Sequence, residues 1–109
     1  MDTIKVELIF EPNCRNAEPA RRLLVELAAK SGIAFSLQEV NKEDPGAPFY
    51  SKRFGSPTIL VDGSDVVPTN SGTGQACRLY MWPDGTANGY PPMSSIAEAL
   101  RRATEKRKF

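Results

Sequence analysis

The sequence predicts an α/β fold: a central mixed sheet of about four strands with flanking helices, in the order β-α-β-α-β-β-α. Three observations carry that prediction. Ile4-Lys5-Val6-Glu7-Leu8-Ile9-Phe10 is β-branched and apolar with Lys5 and Glu7 on the alternate face, which is the pattern of a strand. Residues from Ala17 to Lys30 repeat their apolar members at helical spacing. Pro57-Thr58-Ile59-Leu60-Val61 reads as a buried strand, and Asp62-Gly63 after it marks a tight turn.

The remaining elements follow in order. Glu11-Pro12-Asn13 breaks the first strand. Pro19 is tolerated only in a first helical turn, where its missing N–H would have no partner, so Asn16 is expected as the N-cap. That choice leaves Cys14 just before the helix. Ala20, Leu23, Leu24, Leu27 and Ala28 are expected to face the core, and Ser31-Gly32 stops the helix. Ile33 to Val40 forms a second strand, with Ile33, Phe35 and Leu37 on one face and Val40 out of phase. Asn41 to Gly46 is a turn, and Ala47 to Phe54 reads as either a short helix or a loop. Asp65-Val66-Val67 closes a hairpin with the strand before it. Pro68 to Ala76 is a Gly/Thr/Ser/Asn-rich loop. Arg78 to Trp82 is a further strand, ended by Pro83-Asp84-Gly85. Trp82 and Tyr90 are packing residues. A last helix runs from Ser94 or Ser95 to about Lys106 with Ile96, Ala97, Leu100 and Ala103 inward.

Composition narrows the function classes. The 109 residues make one domain spanning 1–109, 40% hydrophobic and 25% charged with a net charge of +1. Nothing in that balance attracts nucleic acid or an anionic membrane surface. The basic end (Arg101, Arg102, Lys106, Arg107, Lys108) complements the negative terminus of the last helix. No basic-then-apolar leader opens the chain and no run reaches transmembrane length, so the expected location is the cytoplasm, where thiols stay reduced. Histidine is absent. A Cys-His or Ser-His nucleophile and the usual catalytic zinc site are thereby excluded within the chain.

Chemistry then centres on Cys14. A thiol at a strand-to-helix turn lies near the positive end of the helix dipole, which favours thiolate, and Arg15 acts in the same direction. Pro57 opens a strand that must start at the end of the sheet where Cys14 sits. The hairpin at Asp62-Gly63 is at the far end, so the return strand brings the following loop back toward Cys14, and that loop leads into Cys77. Cys77 is either a second reactive thiol or a buried structural cysteine, since free cysteine is often buried.

The arrangement of Cys14-Arg15-Asn16-Ala17 between strand and helix, with Gly55-Ser56-Pro57-Thr58 opening a later strand, resembles the thioredoxin-like superfamily. Ala17 stands where a Cys-x-x-Cys pair has its second thiol, so the resemblance is to monothiol, glutaredoxin-like members. It implies a single thioredoxin-like domain with a cis Ser56-Pro57 bond. It also implies disulfide or glutathione-mixed-disulfide oxidoreduction by Cys14, with Arg15 stabilising the thiolate and Pro57 in the catalytic group. Ser56, Thr58 and Asn16 would meet substrate, and Cys77 or an external thiol would resolve the intermediate. No cofactor is expected beyond glutathione as co-substrate, and the partner is glutathione or a disulfide-bearing protein. Thr69 to Thr73 read first as a solvated loop; the glutaredoxin-like resemblance implies instead that their backbone N–H groups hold the glutathione carboxylate. The stretch Gly55 to Gly63 with Cys77-Arg78-Leu79-Tyr80 is also similar to small thioredoxin-like proteins labelled alkylmercury-lyase-like. That likeness implies instead a soft-metal or metalloid (for example mercury) binding protein using Cys14 and Cys77. With Ala17 in the motif, a redox-inactive interaction domain is the third reading.

Overall fold

The alternation along the first strand divides the molecule into two faces, each with its own cover. The computed structural model describes residues 3–68 and 78–107. It contains β1 (Ile4–Phe10), α1 (Ala17–Lys30), β2 (Phe35–Asn41), a 3-10 turn (Phe49–Arg53), β3 (Thr58–Val61), β4 (Ser64–Asp65), β5 (Tyr80–Met81), β6 (Ala87–Asn88) and α2 (Met93–Lys106). Four strands make one mixed sheet in the order β2-β1-β3-β4, the fold class read from the sequence. β1 runs parallel to β2, with Ile4 opposite Phe35, and antiparallel to β3, with Ile9 opposite Thr58. β4 returns antiparallel to β3. Asp62 and Gly63 both take positive φ (51° and 86°), the backbone that a two-residue turn of this hand requires.

On the first face, Ile4, Val6 and Leu8 of β1 and Ile59 and Val61 of β3 pack against Ala20, Leu24 and Leu27 of α1 and Ile96, Leu100 and Ala103 of α2. Each leucine so buried contributes about 1.5–3 kcal/mol. The buried stripe of α1 is Ala17, Ala20, Leu24 and Leu27. Ala28 was expected in it and is exposed. The 3-4-3 spacing already fills the contact, and one further residue turns about 100° away from it.

The second face explains the strand that broke phase. Leu37 lies opposite Val6 on the helix side, whereas Val40 lies opposite Ile9 on the other side. Ile9, Val40 and Leu60 are buried there under Ala47, Tyr50 and Phe54. The segment that reads ambiguously in the sequence is thus the cover of the second face. With helices on one side and this cover on the other, all four residues of β3 are buried, as their apolar run requires.

Arg78 to Trp82 does not add a strand to the main sheet. Only Tyr80 and Met81 are extended, and they pair with Ala87–Asn88 in a separate two-stranded ribbon. Trp82 anchors that ribbon: its Nε1–H donates to the Tyr90 carbonyl (2.9 Å), and the two rings meet edge to face at 5.4 Å. The last helix starts at Met93, a residue earlier than expected. Arg107 at its end pairs with Asp62 of the hairpin (2.6 Å) rather than only complementing the helix terminus. No helix among the described residues is long and apolar enough to cross a membrane.

One polar group interrupts the second face. Glu7, in the centre of β1, is 2% exposed and accepts a hydrogen bond from the Tyr50 hydroxyl, with Lys5 Nζ 3.9 Å away. The bond to the carboxylate, followed by burial, pushes the Tyr50 phenol up to about 12. A group raised in the folded state stabilises the fold below its unfolded value, near 10, and that contribution is lost as pH climbs through the folded value. The phenolate absorbance attributable to Tyr50, taken as wild type minus Tyr50→Phe, should therefore rise with a midpoint near 12. In a Glu7→Leu background it should fall back toward the ordinary tyrosine range.

Candidate functional site

Cys14 lies in the short turn joining β1 to α1, half-buried. Its N–H donates to the Glu11 carbonyl (3.0 Å), and its own carbonyl accepts from the N–H of Ala17 (3.2 Å), the first residue of α1. Glu11 in turn donates its N–H to Ser56 Oγ (2.9 Å). The turn that carries the thiol is therefore pinned to the residue preceding Pro57, and the Ser56–Pro57 bond is cis. Antiparallel pairing of β1 and β3 dictates this meeting, because it sets the start of β3 beside the end of β1.

Arg78, next after Cys77 in sequence, donates its backbone N–H to the Ser56 carbonyl (2.9 Å). Cys77 itself lies outside the described residues, as do Thr69 to Thr73. The expectations placed on them, a second thiol and a carboxylate-holding loop, lie outside with them.

The other expected site residues divide into two kinds. Arg15 is exposed beside Cys14. Asn16 occupies the N-cap position, and its carbonyl accepts the first helical bond, from Ala20 N–H (3.3 Å). Its side chain makes no cap hydrogen bond, contrary to the usual role of such a residue, because its backbone is already helical (φ −87°, ψ −6°) rather than extended. That side chain instead lies against Gly89: a Cβ built there would be 2.1 Å from Asn16 Nδ2. Glycine at 89 thus lets the chain after β6 close on the start of α1.

Ser56 and Thr58 have no exposed surface, and Pro57 has almost none. Ser56 Oγ is taken by Glu11. Thr58 Oγ1 donates to the Gly55 carbonyl (2.7 Å) and accepts from Arg78 Nη1 (3.0 Å). Neither side chain reaches solvent, so both hold backbone in place and do not themselves touch a ligand.

Three further residues, Arg78, Tyr80 and Lys42, hold the site in place, a role that their local sequence does not announce. The Arg78 guanidinium binds Asp65 Oδ2 (2.7 Å), Thr58 Oγ1 and the Val67 carbonyl (2.8 Å), and it stacks 4.5 Å from the Tyr80 ring centre. The Tyr80 hydroxyl donates to the Pro57 carbonyl (2.5 Å), and burial pushes that phenol well above its ordinary value. One cation thereby joins the start of β3, the end of β4 and the start of the ribbon. Lys42, 9% exposed, donates to the Phe54 carbonyl (2.5 Å) and lies 3.9 Å from Glu11 Oε2, so a buried ammonium supports the Cys14 turn from the other side. An arginine after a cysteine and a lysine in a turn read as surface residues. Their partners are distant in sequence, so no local pattern announces them.

Among the described residues no group of three His, Cys, Asp or Glu side chains is placed to hold a metal ion. No family model, curated protein or solved structure matches the chain. The site offers a half-buried Cys14 just before a helix of fourteen residues, in a turn tied through Glu11 to Ser56, ahead of the buried Pro57.

Proposed function

We propose that this is a thioredoxin-like monothiol oxidoreductase acting on glutathione mixed disulfides. The observation that carries the reading is the pinning of the half-buried Cys14 turn, through Glu11, to Ser56 ahead of Pro57. In the proposed reaction the Cys14 thiolate attacks the glutathione-side sulfur of a mixed disulfide. The S–S bond breaks, the substrate thiol leaves with the bonding electron pair and takes a proton, and a Cys14–glutathione disulfide forms. A second glutathione thiolate then attacks the glutathionyl sulfur, releasing Cys14 thiolate and glutathione disulfide. The two electrons come from glutathione, so no cofactor is needed. Arg15, exposed beside Cys14, lies where it can meet the glutathione carboxylates of the substrate. Ser56, Pro57 and Thr58 are positioning residues. On a disulfide-bearing protein substrate, Cys77 would attack the Cys14 mixed disulfide in place of the second glutathione, leaving a Cys14–Cys77 disulfide that glutathione reduces.

Turnover of a peptide–glutathione mixed disulfide by glutathione tests the proposal. The wild-type protein should accelerate it, Cys14→Ser should reduce the rate to that of glutathione alone, and Cys77→Ser should retain it. Full activity in Cys14→Ser would refute the proposal.

A further inference from the structure

The second sheet face carries a cavity of about 570 Å3 that the proposed thiol chemistry does not use. Its volume falls within the range of small-molecule pockets. It is lined by Leu60, the buried Glu7, the half-buried rings of Tyr50 and Phe54, the exposed Arg53 and the half-exposed Lys5 side chain. Charge decides what it can hold. Glu7 is already engaged by the Tyr50 hydroxyl and faces Lys5. Asp62, also on the lining, accepts from the Arg107 guanidinium and from the Lys5 N–H (3.0 Å). Arg107 and the backbone bond hold the Asp62 carboxyl below its usual range, so it stays ionised and paired. The carboxylates of the cavity are therefore satisfied internally. Arg53 is exposed and makes no hydrogen bond or ion pair with the described residues, and the Lys5 side chain is half exposed at the outer limit of ion pairing.

We infer that this cavity binds a small aromatic carboxylate, its ring against Tyr50, Phe54 and Leu60 and its carboxylate on Arg53 and Lys5. A planar aromatic body suits a lining with two rings, which favour stacked or edge-on partners. A carboxylate suits the fork of an unpaired guanidinium. A cationic ligand would meet two cations and no available anion.

Titration of the 15N-labelled protein with 2-naphthoate tests this. Saturable amide shifts should cluster at Lys5, Glu7, Tyr50, Arg53 and Leu60. Arg53→Gln, at an exposed position, should keep the spectrum dispersed and weaken binding about tenfold, the effect of losing one charge-assisted hydrogen bond. 2-Naphthalenemethanol, the same ring without charge, should also bind about tenfold more weakly. Three results would each overturn the inference: no saturable shifts at these residues, affinity unchanged in Arg53→Gln, or equal affinity for the alcohol.

Discussion

Arg78→Leu should lower the unfolding free energy by about 3–5 kcal/mol, the usual cost of removing one partner of a buried charge pair. The side chains of Arg78 and Asp65 are each only 11% exposed. Leucine fills most of the same volume but leaves the Asp65 carboxylate buried beside an apolar group. It also removes the donors to Thr58 Oγ1 and to the Val67 carbonyl. Buried acceptors left without partners cost about 1–3 kcal/mol each. The measurement is a urea midpoint with unchanged slope, which isolates stability from compactness. A loss under about 1 kcal/mol would mean that water replaces the guanidinium, as at a surface pair. Because Thr58 opens β3 beside Pro57, turnover at Cys14 should fall in the same variant.

Tyr80→Ala should cost a similar amount, about 3–5 kcal/mol, through loss of a fully buried aromatic side chain and the cavity left behind. Tyr80→Phe separates the terms. It keeps the ring under Arg78 and removes only the bond to the Pro57 carbonyl, so about 1–2 kcal/mol should be lost. Since Tyr80 and Arg78 are in contact, the losses of Arg78→Leu and Tyr80→Ala should not add. A double-mutant cycle should give a coupling of about 0.5–3 kcal/mol. Additive losses would show that the ribbon and the charge pair are held independently.

Much of this architecture is written locally. Lys5 and Glu7 alternating with Ile4, Val6 and Leu8 mark β1, and Asp62-Gly63 marks the hairpin of β3 and β4 because few other residues accept two successive positive φ angles. Cys14 and Pro57 were legible for the same reason: a turn and a proline are local signals. The rest depends on distance. Val40 reads as a broken alternation until Tyr50 and Phe54 are placed over it. A two-residue strand such as β6 has no period to detect. The Glu11–Ser56 bond spans 45 positions and the Arg78–Asp65 pair 13. Sequence pattern names Cys14 and Pro57, but only the three-dimensional packing shows the Glu11–Ser56 bond between their turns and the Arg78, Tyr80 and Lys42 contacts around them. The ends of α1 show the same limit in small: Asn16 has the chemistry of a cap, yet Gly89, distant in sequence, decides where its side chain lies.

The proposed function requires Cys14 to act as an accessible nucleophile. Its rate of iodoacetamide alkylation at neutral pH, read by peptide mass so that Cys77 is scored separately, tests that claim most directly. The folded protein should react at Cys14 several-fold faster than the same chain in urea, because only the folded chain sets the sulfur at the start of α1. A folded-state rate equal to or below the unfolded one would contradict the account.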